Sequence, residues 1–398
     1  MSKIAITGMG IISAIGNSAE ENLAALQQGR TGLSHTDYID TIHKKSLLFG
    51  EIKYSNCDFE KLLNLPESNR FPRTAMLATF AAKQAVENAG ITDINAYKTG
   101  FVSATSVGGM DMTELYFYEY EKNPAVQKYI SSHNAGEVAH LTATYLGLKG
   151  LVTTISTACS SAANAIMFGA RLIESGALER VIVGGADALS LFTINGFNSL
   201  MILTDSVNTP FDQNRKGLNL GEGAAYLVLE SKNLVKKQQK KVLAYLSGYG
   251  NANDAFHQTA SSENGQGAFL AMHKALSVAK INPEDIDYIN AHGTATVNND
   301  LSEGRAFLRI FETNTPDFSS TKPFTGHTLA AAAAIEAVYS ILALQNNTVF
   351  ANKNFNTPME EFDLIPQTEI KEKEITHVLS NSFGFGGNCS SLIFSKTK

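Results

Sequence analysis

Short apolar segments rich in β-branched residues alternate along the chain with longer stretches in which small and apolar residues recur at helical spacing. The pattern predicts a strand over residues 3–8, a helix ending near Gly29, a helix over residues 73–88 and a strand over residues 100–107. Strands that alternate with helices in this way are typical of a buried, largely parallel sheet. The sequence therefore predicts an α/β fold.

Two segments share the same order of elements. The first has the apolar strand VTTISTA, a turn at Cys159, a small-residue helix through Ser175 and the buried strand RVIVGGAD. The second has the strand IDYINAHGT, which ends near His292, and a small-residue helix that opens at His327. A lysine-rich segment over residues 231–241 separates them and marks a boundary between two related halves, although such a charge run is most often only a solvated helix face.

A polar, aromatic-rich segment over residues 116–129 has no clear period. We therefore interpret it as an excursion from the sheet that either carries a dimer contact or covers the site.

Composition limits the class of protein. The chain has 398 residues, of which 44% are hydrophobic and 18% charged, and these values exclude a disordered chain, collagen and a coiled coil. Its 32 Lys and Arg residues face 38 Asp and Glu residues, so the net charge is -6. No overall basic field is present to bind nucleic acid or an anionic membrane, and any anionic partner has to be met by a local patch.

The cysteines and the apolar segments indicate the compartment. Three cysteines without a C-x-x-C pair indicate neither a disulfide framework nor a zinc site. The first residues lack the apolar core of a signal peptide, and we find no stretch of about 18 apolar residues that would span a membrane. We therefore expect a cytoplasmic protein without a membrane span.

Cys159 is the first candidate for chemistry, because it follows an apolar strand and precedes a helix built from Ala and Ser. A helix N-terminus favours the thiolate and offers backbone N–H groups to an oxyanion, so we expect a lowered pKa for this thiol. Taken alone, the residue is as well explained as a small buried hydrophobic side chain.

Two histidines favour a catalytic role for Cys159 over a purely structural one. His292 directly follows an apolar strand, and His327 opens a helix between small residues. Each one alone is more often structural. A cysteine together with two histidines at element ends outlines a covalent thiol site with two N–H donors or proton carriers.

Two glycine-rich segments have different interpretations. In the segment over residues 381–388, the next residues read as a strand, so a nucleotide-binding loop is excluded and close approach of backbone to a ligand is favoured, with a Phe gating access. Gly8, Gly10 and Gly16 lack the dinucleotide-binding spacing, and we expect a structural turn there.

At this point the chain resembles the elongating β-ketoacyl-acyl-carrier-protein synthases, condensing enzymes of the thiolase fold. The motifs that carry the resemblance run nearly end to end and are ITGMGIISAIG, STACSSAANAI, VGGADA, PFDQNRKGLNLGEGAAYLVLE, AHGTATVNND, STKPFTGHTLAAAAAIEA and NSFGFGGN. Chain-initiating and chalcone-type enzymes have Asn where this chain has His327, and thiolases use a second Cys. The resemblance implies a thiolase-like fold of duplicated αβαβα halves in a five-layered core, with one half over residues 1–235 and the other over residues 236–398.

The resemblance also implies roles for the site residues. Cys159 resembles the nucleophile that takes the acyl chain, and His292 and His327 resemble the pair that stabilises the enolate formed from malonyl carrier. The backbone N–H groups of Cys159 and Phe385 resemble the oxyanion hole. Among the supporting residues, Lys322 is expected to orient the second His and Glu336 resembles an acid behind the site, while Asp300 and Glu303 also match, with a surface salt bridge as their alternative. Among the substrate-binding residues, Thr294, Thr296 and Thr259 resemble those that hold the pantetheine arm. Phe383 and Phe385 resemble residues that contact the substrate, with Phe385 as the gate of the acyl pocket.

The implied reaction is a decarboxylative Claisen condensation that yields 3-oxoacyl carrier, without a cofactor or metal other than the phosphopantetheine of the carrier protein. We expect an acyl carrier protein as partner, and a homodimer or a heterodimer with a related subunit. Arg70 and Arg73 are candidates to receive the carrier, although a solvated basic turn is the better default for them. Alternatives are a non-catalytic chain-length-determining subunit and another thiolase-fold acyltransferase. Residues 192–225 resemble the synthases of aryl polyene and flexirubin pigments more than those of fatty-acid synthesis, and Gly387-Asn388-Cys389 replaces the usual Gly-Thr-Asn.

Overall fold

The computed structural model of the chain describes residues 4–397. Its strands are β1 (Ile4–Ser13), β2 (Thr99–Ala104), β3 (Val152–Ile155), β4 (Arg180–Asp187), β5 (Gly223–Glu230), β6 (Ala244–Asn253), β7 (Tyr288–Asn290), β8 (Asp317–Ser319), β9 (Thr348–Val349), β10 (Lys371–Glu372), β11 (His377–Gly384) and β12 (Asn388–Ser395). The first strand was predicted to begin at Lys3, which lies outside the described residues.

The α-helices are α1 (Ala19–Gln27), α2 (Asn56–Leu62), α3 (Arg73–Asn88), α4 (Met110–Tyr116), α5 (Gly136–Tyr145), α6 (Ser161–Glu174), α7 (Leu191–Ser199), α8 (Lys232–Gln238), α9 (Gln266–Ala279), α10 (Val297–Phe311), α11 (Lys322–Thr325) and α12 (Ala332–Asn346). Short 3-10 helices span Pro124–His133, Pro283–Asp285, Leu329–Ala331 and Phe385–Gly387. The predicted helix over residues 73–88 is α3, and the helix predicted to open at His327 begins as a 3-10 turn two residues later.

The order of the strands in the sheet shows an internal duplication. Ten strands follow the order β3-β2-β4-β5-β1-β6-β12-β11-β7-β8, and a three-residue antiparallel pairing of β1 with β6 joins its two halves. Outwards from that joint, each half contains two antiparallel pairs followed by two parallel pairs. The strands of one half all precede residue 235 and those of the other half follow it, which agrees with two related units; the boundary at residues 235 and 236 itself stays a prediction.

Helices cover both half-sheets and separate them. Helices α6 and α12 pack against each other and against strands of both halves, and one large apolar core surrounds them. Helices α3 and α5 cover the outer face of the first half, while α9 and α10 cover that of the second. The result is five layers of helix, strand, helix, strand and helix.

The glycines near the N-terminus form the expected turn only at Gly16, whose backbone closes a tight turn with Ser13 through hydrogen bonds of 2.9 and 3.2 Å. Gly8 and Gly10 lie inside β1, where a Cβ on Gly8 would meet Ala85 O at 2.4 Å and one on Gly10 would meet Ala81 O at 2.1 Å. Because backbone of α3 occupies the space of the missing side chains, these glycines allow the helix to pack directly on the strand.

One core helix has the composition of a membrane span, which our search of the sequence did not register. The segment Leu329–Asn346 has 18 residues and a mean hydropathy of 1.4. Since 89% of it is buried inside the protein, its apolar character is explained by packing between the half-sheets.

Candidate active site

The nucleophile candidate lies in a strained turn between a strand and a helix. Cys159 is buried and stands two residues before α6, while the preceding Ala158 has a φ of 53°. Gly384, at the end of β11, approaches this turn so closely that a Cβ would lie 2.8 Å from Thr157 O and 3.1 Å from Cys159 N. The duplicated sheet thus brings the ends of two distant segments against one thiol.

Both predicted imidazoles face the thiol cavity. His327 Nε2 lies 3.0 Å from Cys159 Sγ, and the rings of His292 and His327 stand nearly perpendicular, with centroids 5.4 Å apart. His292 follows β7, whose neighbours are β11 and β8, and the backbone of His327 pairs with Leu220. The structure therefore brings together the three residues that the sequence places 168 and 133 positions apart.

The hydrogen bonds define which ring nitrogens carry protons. The Lys322 ammonium lies 3.4 Å from His292 Nδ1 and can only donate, so Nδ1 accepts and Nε2 of His292 carries the proton. Among the described residues, no hydrogen-bond partner faces Nδ1 of His327, which is buried. The proton of His327 is therefore favoured on Nε2, where the sulfur of Cys159 accepts it.

Burial keeps both rings neutral. It lowers the pKa of His292 and His327 well below the ordinary value, and the positive charge of Lys322 lowers both further. Two neutral imidazoles thus direct Nε2–H groups into one cavity, an arrangement suited to stabilising negative charge on a carbonyl oxygen.

The supporting ion pair contacts a different histidine from the one expected. We expected Lys322 to orient the second histidine, but its ammonium lies 2.5 Å from the backbone oxygen of His292, beside that ring, and 2.5 Å from Glu336 Oε1. Lys322 and Glu336 are both buried, and Ser382 Oγ lies 3.3 Å from the second oxygen of Glu336. The expectation was wrong because the fold places α11, which begins at Lys322, beside the end of β7. The spacing of these residues along the chain does not reveal that contact.

The two acids after the first histidine hold its loop. Glu303 accepts hydrogen bonds from the N–H groups of His292 and Gly293 at 2.9 and 2.8 Å, and Asp300 accepts from Phe211 and Ala295. Burial raises the pKa of Glu303 to about 7 and also raises that of Asp300. Both acids are buried, so the alternative of a surface salt bridge is wrong.

The thiol differs from our expectation of a lowered pKa. Burial raises the pKa of Cys159 to about 12, although the Lys322 charge and hydrogen bonds from the backbone N–H groups of Phe385 and Cys159 act in the opposite direction. Desolvation of the thiolate therefore outweighs the start of the helix. The same two N–H groups converge on the sulfur, where an oxyanion formed on a bound acyl group would lie.

A cavity of about 290 Å³ leads from the surface to the thiol. Its lining contains Cys159, His292 and His327 together with the predicted substrate residues Thr259, Thr294, Thr296, Phe383 and Phe385. The hydroxyls of Thr294 and Thr296 lie 2.9 Å apart at its wall, and the Phe383 ring packs on His292.

Some cavity residues were missed in the sequence. Phe197 stacks on Phe385 with ring centroids 5.8 Å apart, and the exposed Lys216 lies on the lining. Both occur in the segment over residues 192–225, which indicated only a pathway resemblance, and the loop after α7 adds the exposed side chain of Met201 to the same lining. No pattern in the sequence singles out these residues.

The two arginine candidates for carrier binding differ. Arg73 is buried and forms a two-pronged ion pair with Glu222, at 2.8 and 2.6 Å, so it is not available to a carrier protein. The prediction for Arg73 is therefore wrong. Arg70 is half exposed and pairs with Glu137 at 2.8 Å.

Comparison with proteins of known sequence shows similarity over the whole chain. It is 31% identical to 3-oxoacyl-[acyl-carrier-protein] synthase 2 of Vibrio cholerae, with 99% of each chain covered. It is 34% identical to the synthase of the same name from Staphylococcus aureus, covering 99% of this chain and 98% of that one.

Solved structures lead to the same group. The ishigamide ketosynthase/chain length factor matches with a TM-score of 0.92 and 29% identity, over 100% of this chain and 99% of the other. A ketosynthase in complex with its chain length factor from Xenorhabdus doucetiae matches with a TM-score of 0.86 and 31% identity, over 99% and 98%. A type II ketosynthase solved with its acyl-carrier protein matches with a TM-score of 0.88 and 26% identity, over 99% of both chains.

The family assignment follows from matches to both of its domains. The N-terminal domain of β-ketoacyl synthases matches residues 1–234, and the C-terminal domain matches residues 243–356. Together with the duplicated sheet, they establish the thiolase-like fold. The chain belongs to the β-ketoacyl synthase family.

Proposed function

We propose that this chain is an elongating β-ketoacyl-acyl-carrier-protein synthase that condenses an acyl thioester on Cys159 with malonyl carrier to give 3-oxoacyl carrier and carbon dioxide. The observation that carries the proposal is the contact of His327 Nε2 with Cys159 Sγ at 3.0 Å, with His292 facing the same cavity. Full-length similarity to 3-oxoacyl-carrier synthases supports the same reaction.

The first half-reaction loads the acyl chain. The sulfur of Cys159 attacks the carbonyl carbon of the acyl-pantetheine thioester, and the N–H groups of Cys159 and Phe385 receive the negative oxygen. The bond from carbon to the pantetheine sulfur then breaks. The pantetheine leaves as a thiol with the proton that Cys159 has given up, so charge and atoms balance.

The second half-reaction forms the carbon–carbon bond. Nε2–H groups of His292 and His327 donate to the thioester oxygen of malonyl carrier, which stabilises the enolate as carbon dioxide departs. The enolate carbon attacks the acyl thioester carbon, and the bond from that carbon to Cys159 sulfur breaks. The released thiolate then takes a proton from water, which restores the resting thiol. Because the pKa values of both rings are lowered, the donors are neutral imidazoles throughout the neutral pH range.

The alternatives have less support. A non-catalytic chain-length-determining subunit does not need a cysteine and two imidazoles assembled at one cavity. A thiolase-type acyltransferase would place a second cysteine where this chain has His327. The proposed steps use only groups of the chain and the phosphopantetheine of its substrates.

Partners and pathway belong to the proposal as well. We propose an acyl carrier protein as the substrate donor and a dimer as the working unit, with either a second copy or a related ketosynthase-like subunit, in the cytoplasm. Similar structures are described as a ketosynthase with its chain length factor or with its carrier protein. We propose aryl polyene synthesis as the pathway from the resemblance of residues 192–225 alone, and one similar structure is described as a type II PKS ketosynthase.

The test is intact mass spectrometry of the protein with carriers that bear saturated, polyunsaturated or aryl chains, followed by malonyl carrier. We expect an acyl adduct on the wild type, none on Cys159→Ala, and a carrier product longer by two carbons. The chain that loads best identifies the pathway. If no adduct forms with any chain, even with a co-purified ketosynthase-like subunit, the proposal is wrong.

A further inference from the structure

One asparagine joins the two segments that supply the oxyanion donors. Asn388 is the first residue of β12, three positions after Phe385, and its Oδ1 lies 2.7 Å from Ser160 Oγ. The same oxygen accepts hydrogen bonds from the side-chain amides of Asn164 and Asn251, both at 2.9 Å. Two amide donors thus converge on one carbonyl oxygen, together with the Ser160 hydroxyl, whose single proton is shared with Thr157 O at 2.7 Å.

Two of these donors, Ser160 and Asn164, lie directly after the nucleophile at the start of α6. Ser160 follows Cys159 directly, and Asn164 lies in the first turn of α6, where its amide also donates to Thr157 Oγ1 at 2.9 Å. Asn251, on β6, donates to Asn164 Oδ1 at 3.0 Å or to Asn388. The network therefore connects β12 and β6 with the start of α6.

The need for such a connection follows from the backbone between Phe385 and Asn388. Gly386 and Gly387 have φ values of 81° and 79°, which glycine adopts without strain. Their backbone is held by Gln258 O, which accepts from Gly386 N at 2.7 Å, and by Asp254 N, which donates to Gly387 O at 2.8 Å. These bonds tie the glycines to residues 254–258, whereas the Asn388 side chain ties the end of the loop to the start of α6. The N–H groups of Cys159 and Phe385 come from segments more than 200 residues apart. Their separation decides whether both reach one oxyanion.

We propose that Asn388 is a positioning residue for the oxyanion hole: its side-chain oxygen holds the Phe385 loop at a fixed distance from the start of α6. The inference rests on the proposed function, since it concerns the acyl-transfer step at Cys159. Asn388 acts through Phe385 and Cys159 and does not contact the reacting atoms itself.

The experiment compares two reactions of one enzyme. Acyl transfer to Cys159 needs the oxyanion hole, whereas decarboxylation of malonyl carrier needs the two imidazoles. For Asn388→Ala we expect the acylation kcat to fall about 10- to 100-fold, with the KM for acyl carrier and the decarboxylation rate within about twofold of wild type. Asn95→Ala, which removes an amide that bonds loop backbone far from the site, is the control and should change neither reaction.

A second variant keeps the test independent of any folding defect at position 388. Asn164→Ala removes a donor from the same oxygen and should also slow acylation selectively. The double variant Asn164→Ala/Asn388→Ala should acylate at about the rate of the slower single variant. Both substitutions break the same hydrogen-bonded link, so their effects should not add.

The outcomes separate this inference from the proposed function. The positioning role would be overturned by any one of three results. These are an acylation rate in Asn388→Ala equal to that of wild type, equal losses of acylation and decarboxylation rate, and rate losses that multiply in the double variant. A wild type that accepts no acyl chain would overturn the proposed function itself, and the inference with it.

Discussion

The sulfur of Cys159 is subject to opposing influences. Backbone N–H groups and the charge of Lys322 favour the thiolate, whereas burial and the carboxylate of Asp187 favour the thiol. Burial is the largest of these, so the resting enzyme holds a thiol at neutral pH. We infer that the thiol loses its proton during attack on the acyl carrier rather than before it.

This balance predicts the pH dependence of alkylation. Because the pKa of Cys159 is raised to about 12, the thiolate fraction should increase about tenfold per pH unit between pH 7 and 9. The measurement is the rate of iodoacetamide addition to Cys159 by mass spectrometry in a Cys57→Ser background, since Cys57 is exposed. A rate that levels off below pH 8 would contradict burial as the dominant influence.

The Lys322–Glu336 pair predicts a separation of stability from activity. Lys322→Met should lower the free energy of unfolding by about 3–5 kcal/mol, since it leaves the buried Glu336 carboxylate without its partner. Lys322→Met/Glu336→Gln should recover most of that stability. Both variants lose the donor to His292 Nδ1, so both should decarboxylate malonyl carrier at least about tenfold more slowly.

Denaturant unfolding and release of carbon dioxide measure the two effects. Restored decarboxylation in the double variant would mean that Lys322 acts only through structural support and does not define the proton position on His292.

The role of a single residue could be predicted from the sequence only where its neighbours in the sequence indicate that role. Cys159, His292 and His327 each end an element between small residues, and that local pattern is visible without a structure. The partner of Lys322 and the burial of Arg73 depend on contacts with His292 and Glu222, which are distant in sequence. Local patterns contain no information on such contacts.

At the scale of elements, close packing of α3 on β1 shapes the first half of the molecule. Gly8 and Gly10 remove two side chains from one face of the strand, and the alanines of α3 fill the space. The sequence predicted α3 correctly because its apolar and polar residues follow a helical period. It did not predict that β1 continues through the glycines, since glycine by itself favours a turn.

This packing predicts opposite effects of two glycine substitutions. Gly10→Ala places a Cβ 2.1 Å from Ala81 O, so it should lower the free energy of unfolding by about 1–3 kcal/mol through overpacking. Gly196→Ala, inside α7 with no atom within 4 Å of the added carbon, should raise it by up to about 1 kcal/mol. Chemical denaturation tests both, and equal effects would refute the packing argument.

For the whole molecule, the duplication explains why one cavity receives residues from both halves. Cys159 comes from the first half and both histidines from the second, and the central helices α6 and α12 hold the halves together. A strand before a small-residue helix recurs in both halves and indicated the duplication. The predicted equivalence was inexact, because the strand that ends near His292 is followed by α10, and β8 is the strand that precedes α12. Residues 116–129 have no comparable repeating pattern, so their sequence does not indicate whether they contact another subunit or cover the site.

We propose that this segment contacts another subunit. Helix α4, the turn that follows it and the 3-10 helix Pro124–His133 expose large apolar side chains, namely Leu115, Phe117, Tyr118 and Ile130. Contiguous apolar surface of this kind is typical of interaction sites. Strand β3 also lies at the edge of the sheet, where an unpaired backbone can accept another strand.

We therefore expect light scattering of the purified protein to give about twice the 42.8 kDa of one chain. Phe117→Glu/Tyr118→Lys should convert it to monomer, because each charge would have to be buried in an apolar contact. Ile365→Glu, a matched change at another exposed apolar residue, should leave the dimer intact. If the double variant stays dimeric, the excursion covers the site instead. The rate of acylation by long-chain carriers would then change, while the molecular mass would stay that of a dimer.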